Sequence, residues 1–181
     1  MLETVREYAL ERLALAEQEG TLRERHASCC LRLIEKAEQT GLDPYFIQVR
    51  RLVADEINNI RAALAWAIQH DVQAALVLTA SLLDWFYSRG PLAEGRHLID
   101  EVFALPGASD HTIPRVMALV KAAAVLLESG GMTLEAQAFV EEGLALSQEL
   151  EYDRGKADAY WVLARVAFDH WQDLEAADHY L

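Results

Sequence analysis

The sequence predicts an all-α protein built from antiparallel helix pairs stacked one upon the next. Three observations lead there. Apolar residues recur at steps of three and four along most of the chain, the spacing that keeps them on one face of a helix. The four prolines (Pro44, Pro91, Pro106 and Pro114) fall where other signals already mark boundaries, so no apolar periodic run is interrupted. From Asp71 onward, a two-helix pattern returns at a fixed interval. The apolar set is rich in Ala and Leu, and no alternating period-two run bounded by turn residues occurs.

Leu2, Val5, Ala9, Leu13 and Ala16 form the stripe of a first helix over residues 2–17, which Gly20 is expected to end. Thr21 and Glu24 then have the spacing of a capping box, in which hydroxyl and carboxylate satisfy orphan amides at each other's positions. A second helix is therefore expected from there to Gly41, carrying Leu22, His26, Cys29, Cys30, Leu33, Ile34 and Ala37 inward. Asp43 before Pro44 reads as an N-cap followed by proline at the first helical position. Phe46, Val49, Leu52 and Val53 make one further stripe, and Ile57, Ile60, Leu64, Ala67 and Ile68 another, with a break expected near Asp55.

The repeat shows when Pro91-Leu92-Ala93-Glu94-Gly95 is set beside Met132-Thr133-Leu134-Glu135-Ala136 and Asp173-Leu174-Glu175-Ala176-Ala177. Gly95, Ala136 and Ala177 are 41 residues apart each time. Leu98, Ile99, Val102 and Phe103 correspond to Phe139, Val140, Gly143 and Leu144. The expected organisation is a helical region over residues 1–70, then repeats over 71–110, 111–151 and a truncated 152–181. Units of this kind bury their apolar faces only against neighbours. Gly95, Ala124, Ala136, Gly143, Ala164 and Ala177 are the small residues expected where two helices cross closely. Gly95 and Gly143 argue most strongly, because glycine inside a helix costs about 1 kcal/mol relative to alanine and close packing would offset it.

The spacing of Ala124, Ala136 and Gly143 resembles the tetratricopeptide repeat in its longer form of roughly 40 residues, which implies a right-handed solenoid. The third unit departs slightly, since Ala164 and Ala177 are thirteen apart where Ala124 and Ala136 are twelve apart. The first 70 residues carry a sharper likeness. The run Leu2 to Leu13, the triplet Arg25-His26-Ala27 and the run Asn59 to Ala67 resemble the helical linker of large bacterial transcriptional regulators of the LuxR and AfsR kind, predicted signal-transduction ATPases. In that family a nucleotide-binding module and a winged helix come first, then the linker, then tetratricopeptide repeats. The resemblance implies a regulatory segment whose ATPase and DNA-binding parts lie elsewhere. Tyr180-Leu181, inside an expected helix, fits an unfinished repeat.

A net charge of −13 repels phosphate backbones, so direct nucleic-acid contact is not expected. Cys29 and Cys30 are adjacent and make no disulfide framework, which fits a reducing cytoplasm. Leu2 to Arg6 offer neither the basic start nor the apolar core of a signal peptide, and no window is long and apolar enough to span a membrane. Gly155-Lys156 lacks the upstream glycine and the hydroxyl residue of a phosphate-binding loop. His26 and Cys30 share a helix face, but a zinc site needs three or four ligands, and no partner pair has suitable spacing. Neighbouring carboxylates such as Asp55-Glu56 and Glu141-Glu142 point to different sides of a helix. No serine or cysteine lies in a strained nucleophile elbow. The expectation is a protein without catalysis, cofactor or metal.

Trp85, Phe86 and Tyr87 are consecutive and cannot all face one core. In the tetratricopeptide arrangement the first helix of each unit lines the concave surface. That pattern implies Asp84, Tyr87, Lys121, Glu128, Trp161, Arg165 and Asp169 as contacts for a protein or peptide partner, or for other domains of a parent regulator. A small-molecule inducer held within the solenoid and a stand-alone adaptor are the rival readings. An uncovered C-terminal face, with Trp161, Val166, Phe168 and Trp171, points to a possible homodimer.

Overall fold

The computed structural model describes residues 19–39, 54–130 and 134–167, with Arg12 and Arg51 as isolated positions. Seven α-helices and no strands occur among them: α1 (Glu19–Gln39), α2 (Ile57–His70), α3 (Val72–Arg89), α4 (Leu92–Phe103), α5 (Ile113–Gly130), α6 (Leu134–Glu149) and α7 (Asp153–Val166). The expected all-α class is what the chain adopts. The expected helix over 2–17, the stripe from Phe46 to Val53 and the unit ending at Ala177 lie outside the described residues.

Each helix packs on the next in sequence, and each odd-numbered helix also packs on the following odd-numbered one. The pair α3 and α5 makes the most extensive of these contacts. Their ranges are offset by 41 residues, the interval read from the sequence. The Asp71 carboxylate starts α3 by accepting from the Gln73 and Ala74 amides at 3.1 and 3.0 Å.

α3 and α5 are buried nearly all round, as helices enclosed by neighbours must be. Leu76, Leu78, Leu82 and Leu83 of α3 are fully buried, as are Val116, Leu119 and Val125 of α5. One core cluster runs from Ala27 and Ile34 in α1 through α2 and α3 to Ala136 in α6. A second joins Val116 and Val120 to Val140, Val162 and Val166.

Gly95 and Gly143 stand where the helices approach. A Cβ on Gly95 would meet Val125 Cγ1 at 3.1 Å, and one on Gly143 would meet Val120 Cγ2 at 2.9 Å. Close packing is therefore what offsets the helix-propensity cost of both glycines. Gly155, read only as a failed phosphate-loop match, proves tighter still. Its Cβ would lie 2.5 Å from Ser147 Oγ and 2.7 Å from Val116 Cγ1.

Two expectations in α1 need correction. Gly20 and Thr21 are already helical, so the chain neither ends a helix at Gly20 nor caps a new one at Thr21. Arg23 instead pairs with Glu19 one turn back at 2.7 Å, a spacing that the continuous helix provides. The inward stripe is Ala27, Cys30 and Ile34, while Leu22 and Cys29 are exposed. Ala27, Cys30 and Ile34 follow steps of three and four, and Cys29 falls about 100° away from Cys30. The break expected near Asp55 occurs one residue later, at Glu56, before α2 begins.

Candidate interaction face

Six of the seven sequence-predicted contact residues come together on the side formed by α3, α5 and α7; Asp169 lies outside the described residues. Lys121 of α5 bridges two carboxylates, Asp84 of α3 at 3.6 Å and Asp158 of α7 at 3.2 Å. Two turns further along α7, Arg165 donates to Tyr87 of α3 through Nη1 and reaches Glu128 of α5 through Nη2 at 3.3 Å. Its guanidinium carbon lies 5.9 Å from the Tyr87 ring centre and 5.7 Å from that of Trp161. The two rings meet edge to face with centres 6.1 Å apart.

Sequence reading missed Asp158. A positional signal could have found it: Glu128 and Arg165 are 37 residues apart, and the same interval links Asp84 to Lys121 and Lys121 to Asp158. That is one helical turn less than the 41-residue period, which brings neighbouring odd-numbered helices into side-chain register.

The face is half-buried and strongly polar, and Trp161 stands out on it with 45 % of its surface exposed. Ion pairs this accessible to water each contribute about 0–1 kcal/mol, so the network matters less for stability than for holding long side chains in fixed positions. The three consecutive aromatics divide as their spacing requires. Phe86 is buried, Tyr87 turns to the α7 side, and Trp85 meets Phe86 edge-on beneath Arg61.

Other titratable groups lie elsewhere. Burial raises the Cys30 thiol above its usual range, with Cys29 and Glu56 adding to the effect, so Cys30 is poor in thiolate at neutral pH. Its sulfur lies 4.0 Å from His26 Nε2. Among the described residues, no group of three or more His, Cys, Asp or Glu is placed to hold a metal ion. Among the same residues, no helix is long and apolar enough to cross a membrane. At the start of α7 the Lys156 ammonium holds the Asp153 carboxyl below its ordinary value. Phe168 and Trp171, on which the expected self-association surface partly rests, lie outside the described residues, while Val166 and Ala167 are buried.

Compared with known proteins, the chain matches no family model, no curated protein and no solved structure.

Proposed function

We propose that the protein is a non-catalytic interaction scaffold, a tetratricopeptide-like solenoid that binds a protein or peptide partner on its α3, α5 and α7 face. One observation carries the reading: Trp161, Tyr87 and Arg165 cluster there, framed by the Asp84, Lys121, Asp158 and Glu128 charges. Trp, Tyr and Arg are the residue types in which interface binding energy concentrates. Rigid aromatic area beside ordered charges of both signs suits a peptide carrying mixed charge more than an apolar small molecule. The alternation of contacts, with odd-numbered helices packed on one another, supports the solenoid reading.

Peptides selected from a phage-displayed library on the whole chain test this. Binders should lose at least about tenfold in affinity on Trp161→Ala or Arg165→Ala, the scale of a hot-spot truncation, and almost nothing on Gln148→Ala. Binders indifferent to both truncations would count against the face.

The parent reading rests on Leu2 to Leu13, Arg25 to Ala27 and Asn59 to Ala67. It makes the scaffold the regulatory segment of a cytoplasmic bacterial transcription regulator. The coding sequence upstream should then hold a phosphate-binding loop. A gene without one would remove the regulator and leave the scaffold.

A further inference from the structure

The junction between α2 and α4 is open, and the neighbouring junction between α4 and α6 shows what would fill it. In the α4–α6 junction, Phe103 and Phe139 stack with centres 5.0 Å apart. Arg96 pairs with Glu135 at 2.6 Å across the same junction. Arg115 then reaches in from α5, its guanidinium 4.7 Å from the Phe103 ring centre and 2.9 Å from Glu142. The filling is thus two rings and a guanidinium held by a carboxylate.

The α2–α4 junction repeats the frame without the filling. Arg61 pairs with Glu94 at 2.7 Å, and Glu94 precedes Glu135 by the 41-residue period. Seven residues after Arg61 stands Ile68, where Phe103 stands seven after Arg96. Four residues after Glu94 stands Leu98, where Phe139 stands four after Glu135. Glu101 is the counterpart of Glu142, and Ala74 takes the place of Arg115. Smaller side chains leave a groove of about 600 Å³, floored by Leu82 and Phe86 and walled by Ile68 and Leu98. Glu101 lies on its rim and meets no cation among the described residues.

We propose that this groove binds a partner peptide presenting an aromatic side chain next to an arginine or lysine. The ring enters between Ile68 and Leu98, in an apolar recess of the usual ligand-site size, and the cation pairs with Glu101. The site lies on the opposite side of α3 from Asp84 and Tyr87, and it stands whether or not the α3, α5 and α7 face binds anything.

The test is a methyl NMR titration of the whole chain with two probes, N-acetyl-Phe-Arg amide and N-acetyl-Phe-Glu amide. The arginine probe should shift the Ile68 and Leu98 methyls and leave Val140 unmoved, and the glutamate probe should bind more weakly by up to about fivefold, as loss of one exposed charge pair implies. Glu101→Gln, an exposed substitution, should remove that preference. Ile68→Phe with Leu98→Phe should rebuild the stack and abolish the shifts. Equal response to both probes, no response at Ile68 and Leu98, or undiminished shifts in the filled variant would each overturn the proposal. So would methyl shifts that track protein concentration alone, which would make a second copy of the chain the occupant.

Discussion

The α5–α6–α7 end of the molecule and the α2–α3–α4 end follow one plan and are packed differently. At the first, Ser147 is fully buried and donates to the Gly143 carbonyl at 2.6 Å, with Gly155 pressed against it, while Arg115 seals the neighbouring Phe103 and Phe139 stack. At the second, Arg61 and Glu94 make the equivalent bridge over a groove that Ile68 and Leu98 do not fill. The backbone period sets where helices cross, whereas side-chain volume decides whether the space between them closes. Stacked helices can thus keep one backbone frame and vary only what remains open.

If that contrast is right, added volume should hurt at the crowded end and be tolerated in the groove. Gly155→Val should cost about 3 kcal/mol, because Ser147, Tyr152 and Val116 already stand within contact of a Cβ and Ser147 is held by its hydrogen bond. Urea denaturation measures it, and an unchanged midpoint would mean that the crossing is looser than described. On the same logic Ala136→Leu should cost about 2 kcal/mol by overpacking, while Ala145→Leu, on an exposed position, should cost almost nothing.

Removing one arginine from each junction separates them next. Arg115 is buried against a ring and a carboxylate, so Arg115→Ala should destabilise by about 2 kcal/mol through lost packing and a lost charged hydrogen bond. Arg61 and Glu94 are about half exposed, and Arg61→Ala should change stability by less than about 0.5 kcal/mol. Similar losses at the two sites would erase the distinction. An effect smaller than that of Arg115→Ala should come from Thr79, whose buried hydroxyl meets no hydrogen-bond partner among the described residues. Thr79→Val should raise stability by up to about 1 kcal/mol by removing that unmet group.

The two cysteines make the finest comparison. Cys29 is exposed beside Arg32, while Cys30 is buried with its thiol pushed up. Alkylation followed by mass spectrometry should label Cys29 first at neutral pH. Labelling of Cys30 should quicken as pH rises through its elevated pKa, since the thiolate is the reacting form. Equal rates at neutral pH would place α1 differently against α2.

What was legible in the sequence is what recurs. Gly95 declared a crossing through its place in the repeat and Gly143 through its cost inside a helix, Asp71 opened the first repeat just ahead of α3, and the odd-numbered helices gathered Asp84, Tyr87, Lys121, Glu128, Trp161 and Arg165 onto one side. Boundaries set by local competition were not legible. Thr21 and Glu24 have the spacing of a capping box, but the helix already runs through both, with Glu19 and Arg23 paired one turn apart on it. Gly155 gave no periodic signal, because its constraint comes from Ser147 and Val116 on two other helices. The open groove was hidden for a related reason: Ile68 and Leu98 are ordinary core residues until compared with the rings that replace them one unit on.

If a partner binds across α3, α5 and α7 as proposed, Trp161 is the probe best placed to report it. The chain has four tryptophans, so protein labelled with 5-fluorotryptophan gives a small set of fluorine resonances, with that of Trp161 assigned by its loss in Trp161→Phe. Titration with the library-selected peptides should move the Trp161 resonance in step with binding and leave Trp66, stacked on His70 in α2, where it was. Saturable binding that shifts Trp66 and leaves Trp161 unmoved would contradict the account.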